Sequence, residues 1–168
     1  EWTKLDSGTY SGTNSGYELF TNLATYSGYT RFKITYYATS ATGCQKYFQT
    51  QSGGSWHSSG YYTRLIRAGQ TSTLQTVYSS SNSGIFVTNW NSTIQVEGEI
   101  EMFKPASQSS SYKTLFRGNS TGIIGWSNDA FLYSYNAFHN NSNPITGIRI
   151  WQPNSSQKEI EWQLWGQS

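Results

Sequence analysis

Apolar and polar residues alternate along several short segments of the chain, which is the pattern of β-strands that bury one face. In the clearest segment, 94–103, every second residue from Ile94 to Met102 is apolar or glycine, and three of the residues between them are glutamates. Segments 31–37 and 159–164 alternate in the same way. Shorter candidates cover 17–26, 45–50, 61–67, 73–78, 84–90, 113–117, 130–137 and 146–151. About ten short strands at such spacings predict a β-sandwich or a β-barrel.

The segments between the candidate strands have the composition of turns rather than of domain linkers. Ser, Asn and Gly dominate 52–55, 79–84 and 140–144, and each of these stretches is short. We therefore expect residues 1–168 to form one domain. The predicted fold is an all-β, antiparallel, jelly-roll-like sandwich with no substantial helix.

The composition agrees with this fold and excludes two other classes. Aromatic residues make up 17% of the chain, whereas disordered chains are poor in them. The chain holds 26 Ser and 19 Thr and few strong helix formers, which excludes a helical bundle. An all-β domain with many polar turns remains.

Charge and hydropathy limit the partners. The formal net charge is +2, and the basic residues are scattered without a run that would follow a phosphate backbone, so nucleic acid is not an expected partner. No apolar stretch reaches the roughly 18–20 residues of a membrane-spanning helix, so we expect no membrane insertion. The single cysteine, Cys44, excludes an internal disulfide. The chain begins at Glu1 without a signal-peptide pattern, and we expect it to be the C-terminal piece of a longer chain.

Residues suited to catalysis or metal binding are scarce. Asp6 and Asp129 are the only aspartates, and glutamates two apart on a strand are typical of a solvated face rather than of a catalytic pair. His57 and His139 are expected in polar loops, and no G-x-S-x-G nucleophile motif occurs. The sequence has no cluster of metal-ligand residues, although an oligomer axis could gather histidines of several subunits. The sequence therefore predicts a protein that is not an enzyme and has no cofactor or metal.

The positive signal is the placement of tryptophans in polar loops. Such rings cover the C–H face of a sugar while neighbouring Asn, Asp and Ser side chains bind its hydroxyl groups. The alternative is that each ring folds back and caps an end of the sandwich. Trp162, by contrast, alternates with Ile160 and Leu164 and is expected in the core. The predicted ligand-binding residues are Trp56, His57, Trp90, Trp126, Asn128 and Asp129.

The second half of the chain holds a series of short motifs: the strand 94–103, Pro105, Tyr-Lys-Thr at 112–114, Asn-Pro-Ile-Thr-Gly-Ile-Arg-Ile at 143–150 and Leu-Trp-Gly at 164–166. Over about 94–166, these motifs resemble a β-sandwich module of tailed-bacteriophage virion proteins. The family usually has a glycine-rich hairpin before its last strand, where this chain has 152–158 instead. Such modules occur in tail-fibre heads, capsid fibres and decoration proteins, so the resemblance implies a location on the virion surface.

Three functions from different classes remain. The first, which we favour, is the head of a tail fibre or capsid fibre that binds a host-surface glycan or another receptor, as a homotrimer and alongside other virion proteins. The second is a structural capsid-decoration module without a receptor. The third is a carbohydrate-binding module or lectin attached to an enzyme, which would more often be a monomer and bind calcium. Ligand binding separates the first from the second, and the oligomeric state separates the first from the third.

Overall fold

The computed structural model describes residues 1–20, 22–69, 71–88, 93–125, 129–154 and 157–168. These residues form thirteen strands and two short 3-10 helices, Leu23–Tyr26 and Pro105–Ser107. Neither helix in this described part is long and apolar enough to cross a membrane. The strands are β1 (Thr3–Ser11), β2 (Gly16–Phe20), β3 (Arg31–Ser40), β4 (Lys46–Ser52), β5 (Ser55–Trp56), β6 (Tyr61–Gly69), β7 (Thr71–Asn82), β8 (Ile85–Thr88), β9 (Thr93–Phe103), β10 (Leu115–Ile124), β11 (Asp129–His139), β12 (Gly147–Trp151) and β13 (Gln157–Gln167). The predicted all-β fold is confirmed.

The strands form two antiparallel sheets. The eight-stranded sheet has the order β1-β13-β3-β9-β10-β11-β6-β7. The five-stranded sheet has the order β2-β12-β4-β5, and β8 also pairs with β4. Every pairing is antiparallel. Because the strands are extended and pleated, side chains alternate between the two faces of each sheet, and one face of each sheet packs into the sandwich.

The inward faces of the two sheets share one apolar core. Tyr36 of β3 and Phe48 of β4 meet edge to face across the sandwich, with ring centroids 5.0 Å apart. The Ser120 hydroxyl of β10 donates a hydrogen bond to the carbonyl oxygen of Val87 of β8 at 2.6 Å, which also joins the sheets. Trp162 is only 6% exposed, so its predicted place in the core is confirmed. Each large apolar side chain buried here stabilises the fold by about 1.5–3 kcal/mol.

Strand β10 is longer than its apolar pattern predicts, because its inward positions are small. Gly118, Ser120 and Gly122 face the core, and a Cβ atom on Gly118 would lie 2.5 Å from the Tyr135 hydroxyl oxygen. A Cβ atom on Gly122 would lie 2.6 Å from the Phe131 ring. The rings of β11 therefore fill the space that large β10 side chains would otherwise occupy.

Strand β1 was not among the predicted strands. It lies at an edge of the eight-stranded sheet and pairs only with β13 in the described part of the chain. All of its residues are exposed or half-buried, so the chain shows no strict alternation there. An edge strand that buries neither face leaves no period-two signal in the sequence.

The outward face of the eight-stranded sheet carries large apolar side chains that stay exposed. Leu115 on β10 is 67% exposed, and Leu132 on β11 is 56% exposed. On the outward side of β7, Tyr78 is 61% exposed. Exposed apolar groups that are contiguous, rather than scattered singly, are typical of interaction surfaces.

Candidate functional site

Of the six predicted ligand-binding residues, three belong to the part of the chain that the structure describes. These are Trp56, His57 and Asp129. Trp90, Trp126 and Asn128 lie outside the described residues. The ligand-binding role of all six remains a prediction.

Trp56 packs on the outward face of the five-stranded sheet. Its indole Nε1 donates a hydrogen bond to Glu18 Oε1 at 3.0 Å. The Arg149 guanidinium lies 4.8 Å from the centroid of the Trp56 ring and donates through Nε to Gln49 Oε1 at 2.8 Å. Trp56 was expected in a polar loop, but it ends the short strand β5 and its ring folds back onto the sandwich.

His57 belongs to a histidine–tyrosine cluster. Its ring centroid lies 4.6 Å from that of His139, and the Tyr61 ring stacks on the other histidine at 4.2 Å. His57 Nε2 lies 2.7 Å from Asn141 Nδ2. His139 was expected in a polar loop, but this was wrong: it ends β11 and is buried, because its inward position on the strand places it against Tyr61.

Burial keeps both histidines uncharged at neutral pH. Burial, and then the nearby His57, lower the pKa of His139 to about 4. Burial also lowers the pKa of His57. His139 hydrogen-bonds the Thr50 hydroxyl through Nδ1 and the Ser59 carbonyl oxygen through Nε2, and it stacks on Tyr61, as is typical of a structural histidine.

Asp129 lies far from this cluster. It begins β11, whereas His139 ends the same strand. Ten residues of an antiparallel strand span about 33 Å. His57 and Asp129 therefore cannot contact one small ligand together.

In the described residues, no group of three or more His, Cys, Asp or Glu side chains is close enough to hold a metal ion. Glu97, Glu99 and Glu101 share one strand face, as the sequence predicts, but they face outward and form no cluster with a histidine. Two of them are paired with basic residues on neighbouring strands, Glu99 with Lys33 at 4.0 Å and Glu101 with Arg117 at 2.7 Å.

One candidate site lies on the outward face of the eight-stranded sheet, toward the end of β11 that carries His139. It is a cleft of about 700 Å³. We call it the arginine–aromatic cleft, because guanidinium groups and exposed apolar side chains line it together. Its principal residues are Arg31, Arg64, Arg117, Glu101, Asn136, Tyr62, Tyr78, Phe103, Leu115 and Phe138.

The strand register arranges these residues in two adjacent rows across the sheet. In the first row, Phe138 pairs with both Leu115 and Tyr62, and the Phe138 and Tyr62 rings stack 4.8 Å apart at an angle of 5°. This row is apolar.

The second row is polar and charged. Asn136 pairs with Arg117 on one side and with Arg64 on the other, and Arg64 pairs with Tyr78. The Arg64 guanidinium lies 5.8 Å from the Tyr78 ring centroid. Hydrogen-bond donors thus stand directly beside a row of apolar side chains.

One carboxylate of the cleft accepts hydrogen bonds from two of its three guanidinium groups. Glu101 Oε2 accepts hydrogen bonds from Arg117 at 2.7 Å and from Arg31 at 3.1 Å. Burial alone would raise the pKa of Glu101, but the hydrogen bonds from both arginines outweigh it and lower the pKa. With three arginines and one glutamate, the cleft carries an excess of positive charge.

A second depression lies farther along the same strands. We call it the polar groove, because hydroxyl and amide groups dominate its lining, and its volume is about 710 Å³. Glu97 and Glu161 face it, and Lys4 is the one basic residue of its lining. Its other outward-facing residues include Thr9, Thr35, Tyr37, Asn119, Thr121 and Gln163.

Sequence reasoning directed attention to loops and missed both depressions. A signal was available in pairs of adjacent apolar residues within strands, such as Met102–Phe103 and Leu115–Phe116. Because successive strand residues face opposite sides, one member of each pair has to face outward. Phe103 and Leu115 are those members, and both line the arginine–aromatic cleft.

Neither the protein-family models nor the curated proteins include a match to this chain. The segments that carry the resemblance to phage virion modules lie on β9, between β9 and β10, at β12 and near the end of β13. The resemblance therefore remains an expectation from sequence.

Proposed function

We propose that this chain is a phage virion surface protein, the head domain of a tail fibre or capsid fibre, which binds a host-surface glycan through the arginine–aromatic cleft. The observation that carries the proposal is a row of apolar side chains, the half-buried stacked rings of Phe138 and Tyr62 with the exposed Leu115, beside a row of hydrogen-bonding side chains on an outward sheet face. The proposed activity is binding alone, without catalysis. The resemblance over about 94–166 supports the virion setting and says nothing of the ligand.

The chemistry of the cleft suits a saccharide. Rings such as Tyr78 and Tyr62 can cover the C–H face of a sugar, while Asn136 and the guanidinium groups bind hydroxyl oxygens. The volume of about 700 Å³ falls within the range of small-molecule sites. A cleft open along the sheet also admits an extended chain of sugar units.

The test is a pair of single substitutions on β7. Tyr78→Ala removes an exposed ring of the cleft, whereas Leu74→Ala removes a side chain that is 70% exposed on the same strand outside the cleft. We expect Tyr78→Ala to weaken binding to host cells about fivefold, the usual worth of one ring contact. Leu74→Ala should bind like the wild type, and both variants should keep the wild-type melting temperature within a few degrees.

If the wild-type protein bound neither host cells nor any glycan, the proposal would be overturned. A structural capsid-decoration module would then be the favoured function. If Tyr78→Ala and the wild type bound host cells equally well, the cleft would not be the glycan-binding site.

The proposal includes assembly as a homotrimer. Light scattering of the purified chain should then give a mass near three times 18.9 kDa. A monomer would contradict this part and favour a carbohydrate-binding module.

A further inference from the structure

We propose that the glycan bound in the arginine–aromatic cleft is an acidic saccharide, whose anionic group pairs with Arg64 and Arg117 above Asn136. This inference rests on the proposed glycan binding and names the class of its ligand.

The placement of the two arginines carries the inference. Arg117 on β10 and Arg64 on β6 stand on either side of Asn136 in one row of the sheet. Adjacent strands are about 4.8 Å apart, so the two backbone positions are about 10 Å apart. Both side chains are exposed and long enough to reach an anionic group placed between them.

The charges of this row are not balanced within the protein. Glu101 is the one carboxylate among the residues that line the cleft, and it is already shared by Arg31 and Arg117. Arg64 packs on the Tyr78 ring and has no carboxylate within ion-pair distance in the described residues, which include all nine acidic residues of the chain. The free donors of the two guanidinium groups therefore suit a carboxylate or sulfate.

The apolar row explains why the anion should belong to a sugar rather than to a free ion. The stacked Phe138 and Tyr62 rings and the exposed Leu115 lie beside the arginines. They would bury the C–H face of the ring that carries the anionic group. A neutral saccharide would offer the guanidinium groups only hydroxyl oxygens, which accept weaker hydrogen bonds than an anionic group does.

A second copy of this chain is the competing occupant, because the polar groove on the same face is acidic. Glu97 and Glu161 of one copy could pair with the cleft of another. The cleft is nevertheless lined by adjacent apolar and basic rows, whereas the groove offers mainly hydroxyl and amide groups that match the apolar row poorly. We therefore assign the cleft to the saccharide, and the experiment includes an arm for self-association.

The experiment measures the affinity of the full chain for three hexasaccharides of similar size by isothermal titration calorimetry. The probes are maltohexaose, which is neutral, a hexagalacturonate, which carries carboxylates, and a heparin hexasaccharide, which also carries sulfates. We expect at least one acidic probe to bind tenfold or more tightly than the neutral probe at low salt, and to weaken as salt is added.

The matched variants are Arg64→Gln and Arg67→Gln. Both remove one positive charge from β6, but Arg67 faces the other side of the sheet and donates to Gln75. Arg64→Gln should weaken the binding of the acidic probe about tenfold, and should weaken any binding of the neutral probe much less, because a hydroxyl group accepts a weaker hydrogen bond from a guanidinium than an anion does. Arg67→Gln should leave both unchanged. Tighter binding of either acidic probe supports the inference, and a difference between the two probes identifies the preferred anion.

Equal affinity of wild type for neutral and acidic probes, with no effect of Arg64→Gln, would overturn the inference while glycan binding stands. The inference would also be overturned if the protein bound host cells but none of the three probes, and if Arg64→Gln did not change the binding to host cells. Absence of binding to every probe and to host cells would overturn the proposed function as well. Loss of concentration-dependent self-association in Arg64→Glu, seen by light scattering, would reassign the cleft to an interface between copies.

Discussion

The arginine–aromatic cleft and the polar groove lie on one face of one sheet, yet they differ in charge and in chemistry. Strand β9 contributes Glu101 to the cleft and Glu97 to the groove, four residues apart on the same face. Glu101 accepts hydrogen bonds from two arginines, whereas Glu97 has no basic residue within ion-pair distance in the described chain. Basic residues on the neighbouring strands therefore determine whether each glutamate forms an ion pair.

The apolar residues divide the two regions in the same way. The cleft has outward-facing Phe103, Leu115 and Phe138 across three adjacent strands, whereas the same strands offer Glu97 and Thr121 to the groove. Only Leu132 brings a large aliphatic side chain to the groove. The outward-facing residues of the same three strands thus form an apolar surface at the cleft and a polar surface at the groove.

The largest effect is expected from a substitution beneath both regions. Strand β10 supplies Arg117 to the cleft and Asn119 to the groove, with Gly118 between them facing the core. In Gly118→Ala the new Cβ atom would lie 2.4 Å from the Glu99 carbonyl oxygen, which forces the sheet to shift. We expect a loss of about 3 kcal/mol or more in the free energy of unfolding, measured by urea titration.

The control for this substitution is Gly28→Ala. No heavy atom lies within 4 Å of a Cβ atom built on Gly28. Its stability should stay within about 0.5 kcal/mol of the wild type. A Gly118→Ala variant as stable as Gly28→Ala would contradict the close approach of β9 and β11 to β10.

Acidification should lower the stability of the fold through His139, which lies at the end of the sheet that carries the cleft. His139 follows the cleft residue Phe138, and its pKa of about 4 lies below the value of 6.5 for an unperturbed histidine. The unfolded chain therefore binds a proton that the folded chain does not bind between these pH values. The stability from neutral His139 is complete above pH 6.5 and falls toward pH 4, by about 3 kcal/mol at most.

Urea titrations at several pH values measure this loss. In His139→Gln the free energy of unfolding should depend much less on pH between 6.5 and 4, even if the variant is less stable at every pH. The same slope in both proteins would show that another group causes it.

The two glutamates of β9 provide a direct comparison between cleft and groove. Glu101→Gln removes a carboxylate that accepts hydrogen bonds from Arg31 and Arg117, so we expect a loss of about 1 kcal/mol at pH 7. Glu97→Gln should change the stability by less than about 0.5 kcal/mol. Because the pKa of Glu101 is lowered in the fold, its contribution is present above the unfolded value of 4.5 and is lost as pH falls through the lowered pKa.

Urea titration of both variants at pH 7 and at pH 3 checks this difference. At pH 3 the gap between the two variants should narrow. Equal losses for Glu101→Gln and Glu97→Gln at pH 7 would mean that the shared carboxylate contributes nothing measurable.

A similarly small loss of stability, with no loss of binding, is expected at Trp56, outside both regions. Trp56→Ala removes the ring contact with Arg149 and the hydrogen bond to Glu18, which together contribute about 1 kcal/mol. Binding of host cells through the cleft should not change. A marked loss of cell binding in this variant, with the fold intact, would return the ligand site to the loop predicted from sequence.

The sequence specifies the fold well because burial of one face produces a period-two pattern. The segment 94–103 and the last strand around Trp162 follow that pattern closely, and both are inner strands of the eight-stranded sheet. Prediction failed where burial did not produce the pattern. β1 buries neither face, and β10 faces the core with glycine and serine beneath large rings of β11.

The candidate site was harder to predict because it depends on the order of the strands. Arg64 and Arg117 are far apart in sequence and come together only because β11 lies between β6 and β10. Adjacent apolar residues such as Leu115–Phe116 predict that one side chain faces outward, but not which neighbours it meets. Local composition led instead to Trp56, whose ring packs on Arg149.

The central claim is that the arginine–aromatic cleft, and not the polar groove, binds the saccharide. The most direct measurement is the change in backbone amide chemical shifts of isotope-labelled protein on titration with whichever acidic hexasaccharide, hexagalacturonate or heparin, binds more tightly. The claim predicts that the largest changes cluster at Arg64, Arg117 and Asn136, with little change at Glu97 and Thr121. Changes centred on the groove, or none at saturating saccharide, would contradict it.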